Sequence, residues 1–197
     1  MNSVMVDLET LDTADNGAVV GIGAVFFDLK TETMGAEFSA TIHPATAVRD
    51  GGTQAVATWL WWLQQNEAIR KNLCFNGRDH AVVLGEFYEF VAANCRVEDV
   101  RPFGNSARFD LGKLSNAYTR LDLAAPWYWS SERCFRTIRN FYPQVEYNPD
   151  EKGDAAHDPL VDAKFQVEHL FKIKRWIKAA GRPMPGVFDG EEASHRE

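Results

Sequence analysis

With 197 residues, 45% of them hydrophobic and 25% charged, the chain has the size of one ordinary globular domain and enough apolar residues to fill a core. A formal net charge of −7 excludes a protein that coats long duplexes without sequence preference, because that mode relies on many Lys and Arg contacts to phosphate. No run is apolar enough to span a bilayer, Asp7 and Glu9 interrupt the early apolar run before it can serve as a signal peptide, and Cys74, Cys95 and Cys134 fit neither a disulfide framework nor a zinc motif, so a cytoplasmic protein with no membrane partner is expected.

Residues 4–8 form a short apolar, β-branched run broken by Asp7 and read as a first strand. The polar stretch 12–17 reads as a turn, and 18–29, rich in Val, Ile and Phe, as a second strand in which Gly21 and Gly23 signal a bend or a close backbone approach. After a turn near 31–33, the alternation over 37–43 predicts a third strand, and three strands with short links make an antiparallel meander. From Thr53 the period becomes helical, with Val56, Leu60 and Leu63 on one face of a segment that also carries Trp59, Trp61 and Trp62. Trp61 and Trp62 are expected to serve core or dimer packing rather than base stacking.

The pattern over 81–94 predicts a helix that buries Val83, Phe87, Phe90 and Val91. Residues 100–103 read as a fourth strand, and Ser106 is placed to cap a helix through Leu111, Leu114 and Tyr118. Another helix is expected over 131–141, and 143–156, polar and broken by Pro149 and Gly153, reads as a mobile loop. Asp158 and Pro159 then give the cap and first-turn signal of a long helix to about residue 179. One domain over 1–180 follows, with a tail over 181–197 that is rich in Pro, Gly and acid and expected to be disordered beyond Phe188. Strands first and helices after imply an α/β domain built on a mixed sheet flanked by helices.

Five residues carry chemistry. Asp7 and Glu9 are two apart on a strand, so both carboxylates leave the same face while Leu8 faces the core opposite. Two acids so close repel unless a cation lies between them, and Mg²⁺ or Mn²⁺ prefers such hard oxygen ligands. Asp110 follows in the first turn after the fourth strand, where the helix dipole alone would favour an acid. Asp162 lies one turn into the last long helix, and His157 sits just before its cap. Each signal is weak alone; the ordered set of strand Asp-x-Glu, strand-to-helix Asp, and late His with Asp five positions on is specific.

This set resembles the DEDDh branch of the proofreading-type (DnaQ-like) 3′→5′ exonucleases, with Asp7 and Glu9 matching the first motif, Asp110 the second, and His157 with Asp162 the third. Blocks such as Thr58-Trp59-Leu60-Trp61-Trp62, Phe103-Gly104-Asn105-Ser106 and Arg136-Thr137-Ile138 are similar to small phage and prophage exonucleases, including exonuclease VIII-like ones, and to a related bacterial exoribonuclease group. The resemblance covers about residues 4–175, and departs where Asp158-Pro159 replaces the usual small or amide residues and Ser106 the usual Gly. It implies an RNase H-like fold and hydrolysis of single-stranded nucleic acid from its 3′ end to nucleoside 5′-monophosphates by two divalent ions, Mg²⁺ or Mn²⁺. Asp7, Glu9, Asp110 and Asp162 would be the metal ligands and His157 the general base, with Thr10, Leu11, Asn105 and Phe109 as substrate contacts. Homodimers are common among such enzymes. An inactive RNase H-like binding module and an RNase H-type endonuclease are the competing readings, the latter having no need of His157. No motif reads a 2′-OH, so the partner is a single-stranded DNA or RNA 3′ end, with the phage likeness tilting toward DNA.

Overall fold

The computed structural model describes residues 1–155 and 157–189. Five strands, β1 (Ser3–Thr10), β2 (Val19–Asp28), β3 (Thr33–Thr41), β4 (Arg101–Gly104) and β5 (Arg133–Cys134), make one sheet in the order β3-β2-β1-β4-β5. β1, β2 and β3 pair antiparallel as the expected meander, and β4 and β5 join on the other side of β1 in parallel. The result is the mixed sheet of the expected α/β class. β5 was not legible in the sequence because two residues cannot display an alternation.

Eight helices surround this sheet among the described residues: α1 (Pro44–Arg49), α2 (Val56–Leu63), α3 (Glu67–Phe75), α4 (His80–Asn94), α5 (Gly112–Arg120), α6 (Phe135–Phe141), α7 (Pro159–Ala179) and α8 (Gly186–Asp189). Side chains of β1 alternate between two cores. Val4, Val6 and Leu8 pack with Val83, Phe87 and Leu114 of α4 and α5, whereas Met5 on the opposite face packs with Phe103, Val167 and Leu170 beneath α7. Asp7 and Glu9 continue the Met5 face past the point where α7 begins. That single alternation turns one side of β1 from core into a polar site.

Several local expectations are corrected. α1 and α3 went unanticipated because both are short; α3 is capped by Asn66, whose Oδ1 accepts from Ile69 N at 3.0 Å. On α2, the stripe of Val56, Leu60 and Leu63 faces solvent, while Trp62 is turned inward by its Nε1 donating to Thr10 O at 3.0 Å. Ser106 caps no helix through its side chain: residues Ala107–Leu111 form a π-helical turn before α5. α6 starts at Phe135 because the two residues before it pair with β4.

The stretch expected as a mobile loop holds 3₁₀ geometry over Pro149–Ala155, with Gly153 at φ 53°. The tail is not free from its start, since Phe188 is 1% exposed in the second core, with Tyr142 beside it. Ala156 and the tail beyond residue 189 lie outside the described residues. No helix among those described is long and apolar enough to cross a membrane.

Candidate active site

The site is assembled at the C-terminal end of β1 from three separate elements. A register shift between Glu9 and Thr10 marks a bulge at that end, the kind of irregularity that re-aims a side chain where ladder pairing stops. Asp7, 8% exposed, accepts from Gln166 Nε2 on α7 at 2.7 Å. From β4 and the π-turn comes Asp110, 3% exposed, whose carboxylate accepts from the Ser106 backbone N–H at 2.8 Å and from that of Leu8. Gly104 permits this approach, because a Cβ there would meet the Asp110 Cβ at 2.9 Å.

α7 delivers the third motif. Asp158 is its N-cap, accepting from Leu160 N at 2.9 Å and Val161 N at 3.1 Å, and Pro159 opens the helix. The first turn rests directly on β2 at Gly23, where a Cβ would stand 2.0 Å from the Pro159 carbonyl carbon. Asp162, one turn in, is thereby held over β1, and its Oδ1 accepts from Lys152 Nζ at 2.6 Å. His157 precedes the cap in a left-handed conformation, φ 68°, with Nδ1 4.0 Å from Glu9 Oε1. The Trp61 ring meets the imidazole edge to face, centroids 4.8 Å apart and planes at 89°. Of the core or dimer packing expected for the pair, Trp62 does pack in the core, whereas Trp61 lies outside it at the site, 39% exposed.

Ligand atoms of Glu9, His157 and Asp162 all lie within 4.8 Å of one another. Burial first, then repulsion from Asp110 and Asp162, pushes the Asp7 carboxyl well above its ordinary range. Glu9 is raised likewise, by burial and then by Asp7 and Asp162. Asp110 is pushed up to about 7 by burial, against the opposing pull of its backbone N–H partners and Arg136. So much negative charge in so little solvent is a site short of cations, and the hard oxygen donors fit a divalent metal. Burial holds the His157 imidazole below its ordinary value, which leaves it neutral and able to accept a proton near pH 7.

The four proposed substrate contacts fare differently. Phe109 is half-buried with the Lys113 ammonium 4.4 Å from its ring centroid, and Asn105 keeps a buried Oδ1 without a partner among the described residues. Thr10 donates its hydroxyl to Asp12 O at 3.1 Å. Leu11 is fully enclosed in the first core, and its N–H and C=O are taken by Ala18 and Ala55, so its side chain serves packing instead of facing a ligand. A groove of about 240 Å³ opens beside Glu9 and His157, lined also by Gly21, Ser39, Thr41 and Asn72.

Sequence reasoning missed Gln166, Lys152 and Trp61. Gln166 was findable, since it lies four positions after Asp162 on the same face of α7. Lys152 and Trp61 gave no local signal, because a lysine in a polar loop and a tryptophan in an apolar helix both have ordinary explanations.

The family profile described as 3'-5' exoribonuclease Rv2179c-like domain matches residues 2–174. No curated protein matches the chain. Among solved structures, E. coli Exonuclease I in complex with a dT13 oligonucleotide is similar at 19% identity and TM-score 0.61, over 95% of this chain and 42% of that one. Exonuclease I without ligand gives 15% identity and TM-score 0.66, over 95% and 43%. Cell-death related nuclease 4 gives 14% and 0.56, over 88% and 64%. The chain thus spans less than half the length of Exonuclease I, and at these identities the likeness shows the fold, the RNase H-like one.

Proposed function

The chain belongs to the 3'-5' exoribonuclease Rv2179c-like family, and from that premise we propose that it hydrolyses single-stranded nucleic acid from the 3′ end to nucleoside 5′-monophosphates as a DEDDh-type, two-metal enzyme. The observation that carries the reading is the gathering of Asp7, Glu9, Asp110, Asp162 and His157 from β1, the turn after β4 and the start of α7 at one end of the sheet. Mg²⁺ or Mn²⁺ at this site would supply charge neutralisation for the phosphate, an activated water and stabilisation of the leaving 3′-oxygen. Asp7, Glu9, Asp110 and Asp162 would hold the ions.

His157, neutral and beside Glu9, takes the proton of the attacking water and passes it to solvent through the exposed side of its ring. Trp61 limits the tilt of that ring by its edge-to-face contact. Asn105 and Phe109 would orient the strand, the first through its side-chain amide, the second by offering an aromatic face to a base. Thr10, next to Glu9 at the end of β1, would contact the terminal nucleotide. The family's exoribonuclease description weighs toward RNA, against the earlier tilt toward DNA. An inactive binding module would not need four carboxylates and a base within one buried cluster.

The test uses internally labelled DNA and RNA oligonucleotides of matched sequence, with free ends, a 3′ block or a 5′ block, and a closed single-stranded circle, each with Mg²⁺ or Mn²⁺. Expected are stepwise shortening, mononucleotide products, strong slowing by the 3′ block and no attack on the circle. Nicking of the circle, or equal sensitivity to 5′ and 3′ blocks, sinks the exonuclease reading. The ratio of RNA to DNA rates assigns the polymer.

A further inference from the structure

Lys152 reaches the carboxylates from a segment that its sequence gives no reason to place there. Its ammonium lies 2.6 Å from Asp162 Oδ1, with the lysine side chain 9% exposed and that of Asp162 12%. An ion pair this enclosed differs from the half-exposed surface pairs elsewhere in the chain, such as Lys164 with Glu37, and it sits on one of the ligands proposed for the metal. The same ammonium favours the charged forms of Asp7 and Glu9, the direction in which a bound cation would act. Lysine suits such a stand-in: it is a compact point charge on a flexible stem that can withdraw without unfolding what carries it.

The segment that carries Lys152 is lightly tied. Apart from the bond to Asp162, it is held by local or long contacts: the Asp150 N–H donates to Asn148 Oδ1 at 3.2 Å, Glu151 and Lys172 pair at 3.9 Å, half-exposed on both sides, and the Lys152 ammonium lies 6.0 Å from the Phe165 ring centroid. Gly153 beside it adopts φ 53°, a conformation that leaves a pivot after the lysine. On its N-terminal side Tyr147 is fixed against His169 and Phe165. His157 follows five positions later, so what holds Lys152 also restrains the approach to the candidate base.

We propose that Lys152 is a positioning residue that keeps the place of a metal ion: its ammonium occupies Asp162 in the metal-free protein, and a divalent ion that takes Asp162 displaces it and releases residues 149–155. The inference rests on the exonuclease reading, in which Asp162 is a metal ligand. Two cations cannot share one carboxylate oxygen at contact distance without strong repulsion, so the two occupancies exclude each other. Metal binding and closure of this segment are then linked, each weakening the other by the same factor.

The experiment is calorimetric titration of Mn²⁺ into wild type, Lys152→Met and Lys152→Gln, with hydrogen exchange of residues 149–155 in wild type with and without Mn²⁺. Both variants should bind Mn²⁺ more tightly, within the roughly 5–150-fold range of such couplings. In wild type, Mn²⁺ should lower the protection of 149–155 and speed tryptic cleavage after Lys152. Unchanged or weaker Mn²⁺ binding in both variants overturns the proposal. So does tighter binding without any loss of protection in wild type, which would make Lys152 a distant charge that never moves. If Mn²⁺ binds and mononucleotides are released while these effects are missing, only the Lys152 inference fails; if no protein binds Mn²⁺, the exonuclease reading fails with it.

Discussion

Asp7 shows what a buried cluster of carboxylates costs the fold that carries it. Its carboxyl is raised by burial and by two neighbouring acids, so in the metal-free protein its ionisation opposes folding as pH rises above the ordinary carboxylate range. Asp7→Asn should therefore do two opposite things. On the proposed reading, exonuclease activity should fall beyond the roughly 10–100-fold typical of losing an outer partner, because an amide binds a divalent cation far more weakly than a carboxylate. In EDTA at pH 7.5 the same variant should be more stable than wild type, read as a higher Tm, because the buried carboxyl that resists ionisation is gone. A variant less stable than wild type under those conditions would show that the cluster is neutralised by something other than protons. Gln166 aims Asp7 from α7 at 2.7 Å, so Gln166→Leu should reduce activity about 10–100-fold while the near-isosteric Gln166→Glu alters the metal dependence; an unchanged rate in Gln166→Leu would deny it a role. His157→Ala should lose about 10²–10⁴-fold in the single-turnover rate with little change in Mn²⁺ affinity, and a rate within a few-fold of wild type would leave this histidine structural.

The elements matter through where they end. β1 stops at a bulge, the turn after β4 is a π-turn, and α7 begins on the cap Asp158 and a proline; the first carries Asp7 and Glu9, the second Asp110 and the third Asp162. The contact between α7 and β2 is the tightest of these constraints. Gly23→Ala would drive a methyl into the Pro159 backbone, so the start of α7 must lift. We expect a loss of about 1–3 kcal/mol from overpacking, measured by urea unfolding, and an activity loss larger than that destabilisation explains, because Asp162 moves with the helix. Stability and activity both within error of wild type would mean that the sheet yields there. α2 is a counter-example to reading helices by periodicity alone: a stripe at the right spacing faces water because the tryptophan indole found a backbone acceptor on the other side.

At the scale of the whole molecule, the second core contains a histidine. His169, 2% exposed between Phe135 and Tyr147, is held down to about 4 by burial and by Lys172 and Arg139 nearby. A histidine with a depressed value is neutral in the fold and charges more readily in the unfolded chain. Its contribution is complete above the ordinary 6.5 and is lost as pH falls from there toward 4. That amounts to about 3 kcal/mol at the acid end, and His169→Phe should flatten the stability-versus-pH curve across this window; an equally steep curve would place the acid sensitivity elsewhere. Sequence by itself determined the meander and the long helices and singled out five candidate acid and base positions, because strand alternation, capping residues and motif spacing are local properties that the chain displays one segment at a time. The 3′-5′ polarity of cleavage came only from the family resemblance and not from the spacing of these residues, and the match over residues 2–174 is to a 3'-5' exoribonuclease family. Only the tertiary structure decided that Lys152 sits on Asp162, that Gln166 holds Asp7, that Trp61 meets His157 and that Leu11 belongs to the core. Each of these pairs joins residues from different segments or depends on which way a helix is rolled, and the roll is set by packing against the sheet, a sum over distant contacts that no local pattern encodes.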